Sequence, residues 1–477
     1  MGGFLQAMKS EDPLLAAWEE TLSKKSDQPA ILGTTGQIAR TFRQIEEQAR
    51  QFGAKVGPFD AGEVIAVQVG NHDDWPSILI ACLRRRLVVL PLEQSISDHQ
   101  RDAALEICRA SAVAFAVPSG TSPKILRPRT TNTTAEWHKN PPSLLKLTSG
   151  TTAAPHAIRF RSEQLLADCN QICETMGILD VDLNFGVIPI SHSYGFSNLL
   201  TPLIARGVAM IVSRDRMPRA VLDDLARTNA TVFPGTPAFY QAFCEMENVP
   251  LLAKLRLCIS AGAPLPLTVA QKFGAKFGLP IHSFYGASEC GGICYDREAT
   301  SEQEGFVGQP VKGVALEMLD PNAPESQIQV QSAAVGDGYF PEPDDVKLAN
   351  GIFVPDDLLA RTDRGFKIVG RISDLINVAG KKVNPAEVEA HLLRFSGVRQ
   401  AVVFGRLAAV GALRNEEVVA CVVASPNVSE SDLLRFCRGE LSPWQVPKHI
   451  FIMDAIPTNE RGKTSRRGLA RRFSTRG

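Results

Sequence analysis

From residue 64 onward, short apolar runs alternate with amphipathic stretches of ten or more residues, and this alternation limits the fold more than any other feature. Runs at 64–69, 87–90 and 113–117 read as strands, with helices at 74–85 and 97–110 between them. After a Ser-, Thr- and Pro-rich surface connection at 118–143 the rhythm resumes, with helices from 162, 196, 219, 237 and 266 and strands at 185–188, 208–212, 231–233, 255–260 and 281–285. Such alternation predicts mostly parallel sheets covered on both faces, an α/β architecture of two doubly wound units. Beyond Gly305 the helices thin out, and segments 315–319 and 328–331 predict a smaller β-rich module. A last α+β unit begins near Gly370 and Arg371, with helices from 385 and 429 and strands at 401–404, 418–423 and 450–453. Residues 1–60 read as helical, with helix starts at Asp12-Pro13 and at Thr41.

Within that frame one stretch carries chemistry. Leu147-Thr148-Ser149-Gly150-Thr151-Thr152-Ala153-Ala154-Pro155-His156-Ala157 follows an apolar strand and precedes the helix from 162, so it reads as a strand-to-helix turn. Backbone N–H groups in a glycine-containing turn form an anion-binding concavity, and Ser149, Thr151 and Thr152 add hydroxyl donors. A solvated loop capping the next helix would look the same in isolation.

Composition narrows the remaining classes. The 477 residues are long enough for several domains, and 44% hydrophobic with 21% charged residues is ordinary for a globular chain. Lys plus Arg equals Asp plus Glu at 51 each, so no overall field favours nucleic acid or membrane. The arginines of the tail (Arg466, Arg467, Arg471, Arg472, Arg476) have few aromatics among them and read as a solvated helix face. Ten scattered cysteines lack the paired spacing of a zinc site, Cys169/Cys173 and Cys290/Cys294 included, and suit a reducing cytoplasm. No apolar run approaches the roughly 18 residues of a membrane span. The N-terminal residues do not follow a secretory or myristoylation pattern.

The 147–157 stretch resembles the T-S-G-T-T-G-x-P-K-G signature of the adenylate-forming superfamily, which includes acyl-CoA synthetases, peptide-synthetase adenylation domains and luciferase. Further motifs follow in the family's order. Pro189 to Phe196 resembles P-x-x-H-x-x-G, Ser260 to Leu265 resembles S-G-A-A-P-L, and Tyr285-Gly286-Ala287-Ser288-Glu289 resembles Y-G-x-T-E. Gly370-Arg371-Ile372-Ser373-Asp374-Leu375-Ile376, with Gly380, Val383, Pro385 and Glu387, is similar to G-R-x-x-D-x-I…G-x-x-V-x-P-x-E. Pro447-Lys448 and Pro457 to Lys463 are similar to the closing P-K…P-x-x-x-x-G-K. The resemblance covers essentially the whole chain and implies an adenylation domain at 1–370 and a small mobile C-terminal domain at 371–477.

What it implies chemically is activation of a carboxylic acid by ATP to an acyl adenylate, release of pyrophosphate, and transfer of the acyl group to the thiol of coenzyme A or of a carrier-protein phosphopantetheine. A carboxylate attacking an anionic phosphate needs cations between the two. Lys463 matches the family's catalytic lysine, Glu289 its Mg²⁺ ligand, and Ser149, Gly150, Thr151 and Thr152 its phosphate loop. Gly262 and Ala263 would admit adenine beside Tyr285, Gly286 and Ser288, while Asp357 would accept from the ribose hydroxyls and Arg371 would donate nearby. Asp374 falls at the hinge position, and Gly380, flanked by Lys381 and Lys382, would approach the pantetheine arm. His192 would line or gate the acyl pocket, with Phe233, Gly235 and Phe196 near its walls. The segment Ser191-His192-Ser193 lacks the aspartate that holds an amino group in amino-acid-activating relatives, which favours an uncharged fatty or aryl acid.

The chain departs from the signature at Ala153 and Ala157, where the family has glycines, and at His156, where it has lysine. An alanine at φ > 0 costs about 1–2 kcal/mol, so this loop is expected to be stiffer or differently shaped. His156 would be a weaker pyrophosphate clamp than lysine, with Lys146 or Arg159 as neighbouring cations. Asp356 occupies the usual glycine before Asp357. A ligase that delivers the acyl group to a carrier-protein thiol is a sibling alternative to a CoA ligase, and these departures motivate a second, a non-catalytic nucleotide- or acyl-binding relative.

Overall fold

The computed structural model describes residues 11–115, 124–126, 135–137, 140–148, 156–299, 303–378, 381–407, 416–458 and 464–473. The chain forms two compact units, a large one of residues 1–317 and 329–355 and a small one of 318–328 and 356–477.

Two sheets build the large unit. In the first, Val64–Gln68 pairs in parallel with Val88–Pro91 and Ala110–Phe115, and Leu144–Thr148 joins parallel to Val88–Pro91. Near-continuous Val, Ile, Leu and Ala make these strands buried on both faces. In the second sheet, strands Ile281–Ala287, Leu257–Ser260, Val232–Gly235, Leu183–Gly186, Ala209–Val212 and Pro29–Leu32 lie in that order and run parallel. Helices connect them as the sequence pattern predicts: Ser162–Met176, Pro218–Thr228, Pro237–Glu245 and Leu267–Phe277 all start within a residue of their expected positions. Asp12 caps the helix Pro13–Lys25, its Oδ1 accepting from Leu14 N and Leu15 N at 3.0 Å each, and its Oδ2 accepts from Ser162 Oγ at 2.6 Å.

Two expectations are corrected here. Residues 1–60 are not wholly helical, because Pro29–Leu32 and Ile38–Thr41 form an antiparallel hairpin whose first strand extends the second sheet beside Ala209–Val212. Four-residue strands with only Ala30 and Ile31 buried carry too little periodicity to be recognised. The signature stretch is not a strand-to-helix turn either. His156–Phe160 forms a strand antiparallel to Leu144–Thr148, and the helix begins only after it.

The small unit contains a hairpin, Asp357–Thr362 with Gly365–Arg371, then the single turn Ile372–Asp374 and a second hairpin, Ile376–Val378 with Lys381–Val383. Its sheet pairs Val398–Leu407 antiparallel to Glu416–Ala424, which runs parallel to His449–Ile452. Helices Pro385–Leu393 and Glu430–Glu440 supply Val388, Leu392, Leu433 and Cys437 to the core on one face with Val403, Val418 and Ala420. Helix Arg466–Phe473 covers the opposite face, with Leu469 and Phe473 against Phe404, Val419 and Cys421.

Candidate active site

Ser149, Gly150, Thr151, Thr152 and Ala153 lie outside the described residues, as do Gly380 and Lys463. The strands that carry the signature loop are described. Thr148 Oγ1 donates to His156 O at 3.1 Å, closing the hairpin ends. Ala157 is opposite Leu147 on one side and Phe340 on the other, fully buried, and is not among the residues with positive φ. The left-handed strain expected for Ala157 is therefore absent, since a strand replaces the turn that would have required it. Arg159 donates to Asp337 O at 3.3 Å.

Lys146 points into the protein. It is 6% exposed, with Nζ 4.4 Å from the Phe160 ring centroid and 5.7 Å from that of Phe196. Burial holds its ammonium below the ordinary lysine range, opposed by the negative charge of Asp168 and, more weakly, of Glu289. Burial likewise pushes the Asp168 carboxyl up, opposed by Lys146 and by hydrogen bonds from Ser197 and Gly292 N, the latter at 3.0 Å. Asp168 lies against the turn that follows Glu289: a Cβ on Gly291, whose φ is +70°, would be 2.0 Å from Asp168 Oδ1.

Glu289 is held from the other side. Tyr339 Oη donates to its Oε1 at 3.2 Å, and its carbonyl accepts from Gly336 N at 2.9 Å. The Tyr339 ring lies 6.2 Å from that of His156, whose buried Nδ1 has no hydrogen-bond partner among the described residues. Ser193 Oγ donates to Ser288 Oγ at 3.0 Å, joining the histidine segment to the Y-G-x-S-E motif. His192 caps the turn Ser193–Gly195, its Nδ1 accepting from Tyr194 N at 3.2 Å, which leaves a proton for Nε2. The next five residues, Phe196–Leu200, form a π-helical segment, a geometry common at functional sites.

Gly262, with φ +87°, and Ala263 are exposed beyond the C-terminal end of strand Leu257–Ser260, the edge at which parallel sheets bind ligands. Among the described residues, no atom other than those of its chain neighbours lies within 4 Å of a Cβ built on Gly262, so there is open space there. Gly286 is exposed too, while Tyr285 is only 7% exposed. Phe233 is fully buried in an aromatic cluster with Phe185, Tyr240 and Phe243, a core position.

In the small unit Arg371 Nε donates to Asp357 Oδ1 at 2.6 Å, across the hairpin register that sets the two residues opposite each other. Asp374 accepts from Arg466 Nη1 at 2.7 Å. Lys381 places Nζ 3.4 Å from the Trp444 ring centroid. The ten cysteines are free, nine of them buried. Burial alone takes the Cys82 and Cys108 thiols up to about 12, which makes them unreactive. Among the described residues one group, His72, Asp73 and Asp74, brings metal-ligand atoms within 4.8 Å of one another, but Asp73 is already paired with Arg40 at 2.9 Å.

The AMP-binding enzyme family matches residues 18–340, and the AMP-binding enzyme C-terminal domain matches residues 387–463. The chain belongs to the AMP-binding enzyme family. It is similar to a probable CoA ligase of Humulus lupulus, 27% identical over 98% of this chain and 97% of that protein. An oxalate–CoA ligase of Arabidopsis thaliana is 25% identical over 95% and 97%. Among solved structures the fold is similar to ATP-bound MatB from Rhodopseudomonas palustris, with a TM-score of 0.84 and 22% identity over 96% of this chain and 99% of that one. The adenylate-forming architecture implied by the motifs is thereby shown.

Three residues of this AMP-binding enzyme escape a motif reading. Asp168 is on the buried face of its helix, in step with Leu165, Cys169 and Ile172, and an acid at that phase is the signal that marks it. Tyr339 enters from a distant strand, Gly338–Phe340, and has no local signature. Arg466 shares a face with Leu469 and Phe473 at positions i, i+3 and i+7, so the expected solvated arginine face is corrected at this residue. Arg471 and Arg472 are exposed.

Proposed function

We propose that this enzyme uses ATP to convert a fatty or aryl carboxylic acid to its acyl adenylate and then forms the thioester of coenzyme A. The observation that carries the reading is the family match across both units, with Glu289, Asp357, Arg371 and Lys463 at their motif positions. In the first step a carboxylate oxygen bonds to the α-phosphorus, the bond to the bridging oxygen breaks, and pyrophosphate leaves. Lys463 would offset negative charge between acid and α-phosphate, and the 149–152 loop would hold the outgoing phosphates. Asp357, oriented by Arg371, would accept from the ribose, and Gly262, Ala263 and Tyr285 would bound the adenine. Glu289, a hard oxygen donor steadied by Tyr339, fits Mg²⁺. When bound, that ion neutralises phosphate charge.

In the second step the thiol sulfur attacks the acyl carbonyl and AMP leaves. Rotation of residues 371–477 about Asp374 would withdraw Lys463 and bring the Gly380 loop to the adenylate. The Ser191-His192-Ser193 segment, lacking a carboxylate, supports an uncharged acid, and the free cysteines support the cytoplasm. Among the described residues no helix is long and apolar enough to cross a membrane.

The test is acid-dependent exchange of pyrophosphate into ATP with a panel of fatty and aromatic acids, followed by addition of CoA. Exchange and a CoA thioester are expected. Exchange without a thioester on CoA but with one on a phosphopantetheinyl carrier protein would transfer the second step to a carrier, and nucleotide binding without exchange would leave only a binding protein.

A further inference from the structure

We propose that Arg466 is a positioning residue for adenylation, clamping the chain three residues beyond Lys463 to the hinge residue Asp374 and to Glu389. The inference rests on the reading of Lys463 as the adenylation lysine. Its basis is one guanidinium shared by three segments of the small unit. Nη1 donates to Asp374 Oδ2 at 2.7 Å, Nη2 to Glu389 Oε1 and Oε2 at 2.8 and 3.0 Å, and Nε to Val403 O at 2.9 Å. Those partners belong to the turn Ile372–Asp374, the helix Pro385–Leu393 and the strand Val398–Leu407.

An arginine is suited to this task because its donors are fixed in one plane and address several acceptors at once, whereas a lysine offers a single charge point. The Glu389 side chain is 15% exposed and also accepts from Val403 N at 2.7 Å. Burial pushes its carboxyl up, and Arg466, together with the Val403 N–H, opposes this while Asp374 reinforces it. Leu469 and Phe473 fix the same helix by burial against the sheet. With Arg466 anchored, three extended residues limit the Lys463 Cα to within about 10–11 Å of the Arg466 Cα. Without the anchor, the lysine would search a larger volume at its step. Because Asp374 shares the clamp, a turn at the hinge either carries the helix start with it or breaks the 2.7 Å contact.

The full-length enzyme is tested as Arg466→Ala, Arg466→Lys, Glu389→Gln and Lys463→Ala, with the double variant Arg466→Ala/Lys463→Ala. Two rates are measured: acid-dependent pyrophosphate exchange, and thioester formation from supplied acyl adenylate and CoA. Arg466→Ala is expected to slow exchange about 10- to 100-fold, the scale of a small misplacement of a reacting group, with the thioester rate and the KM for ATP within about threefold. Arg466→Lys is expected to recover part of the loss, and Arg466→Ala is expected to add nothing in the Lys463→Ala background.

Full exchange in a folded Arg466→Ala protein, equal losses in both half-reactions, or effects that multiply with Lys463→Ala would each overturn the proposal. If Arg466→Ala gives no cooperative melt, Glu389→Gln decides: a loss of about 3- to 10-fold confined to exchange supports the clamp, and unchanged exchange overturns it. Lys463→Ala with exchange intact would remove the reading of that lysine and this inference with it. A dead Lys463→Ala beside an unaffected Arg466→Ala removes the inference alone.

Discussion

In the large unit Lys146 is 6% exposed between Phe160 and Phe196, behind the turn that carries Glu289, and its charge is met by Asp168. In the small unit the Arg466 side chain remains 30% exposed and grips Asp374, Glu389 and Val403 O through directional hydrogen bonds. The first arrangement depends on a buried setting in which each charge offsets the desolvation of the other. The second depends on geometry and tolerates water. A site that holds a triphosphate gains from fixed charges behind it, whereas a segment that must enter and leave the reaction is better served by contacts that can break and re-form. Lys146 and Asp168 should therefore respond to substitution through stability, and Lys463 and Arg466 through rate, while Asp357, also in the small unit, is grouped with the nucleotide-binding residues.

The largest effect is expected at the small unit's lysine. Lys463→Ala should reduce adenylation about 10²- to 10³-fold, the scale of losing one preorganised charge at a transition state. ATP binding, followed by calorimetry, should stay near the wild-type value, and a parallel loss of binding would erase the distinction between these groups. Next comes Lys146→Met, which leaves Asp168 buried without its cation and should destabilise the large unit by about 3–5 kcal/mol in urea melts at pH 7. The Asp168 carboxyl, already raised by burial, rises further in this variant. A carboxyl whose folded pKa exceeds its unfolded one destabilises the fold when ionised, so the deficit should shrink as pH falls towards about 4. Lys146→Met/Asp168→Asn should recover most of the stability, and a pH-independent deficit would mean lost packing rather than lost charge.

Asp357→Ala should raise the Kd for ATP about tenfold, a loss of about 1.4 kcal/mol, while the rate at saturating ATP changes little. A fall in saturated rate alone would move Asp357 to the rate-governing group. The smallest effect is expected for His156→Lys, which adds a permanent charge beside the loop. Affinity for pyrophosphate should increase about two- to fivefold. No change would show that the side chain does not face the phosphates.

Most of the fold is legible in the sequence because its strands are buried on both faces and its helices carry strong end signals. Thr41 forms a capping box with Gln44, and Asn384 caps the helix that begins at Pro385. The signature hairpin is not legible in the same way. His156-Ala157-Ile158-Arg159-Phe160 is a short strand against a helix start, and its pairing to both Leu144–Thr148 and Gly338–Phe340 is a long-range fact. Of the candidate site, the motif residues were readable one by one. Their supports were not, since the approach of Tyr339 to Glu289, of Asp168 to Gly292 N and of Arg466 to Asp374 depends on how distant segments fold together. The alanine at 157 shows the cost of reading a family pattern without its geometry: a residue suspected of strain is an ordinary member of the core.

The proposed adenylation of a carboxylic acid would need Lys463 as the small unit's contribution. The most direct test is a single-turnover experiment with α-³²P-labelled ATP and a fatty or aromatic acid, resolving acyl adenylate from ATP and AMP. The wild-type enzyme should form labelled acyl adenylate only when the acid is present, and Lys463→Ala should bind ATP yet form almost none. Acyl adenylate formed equally fast by both proteins would contradict the account.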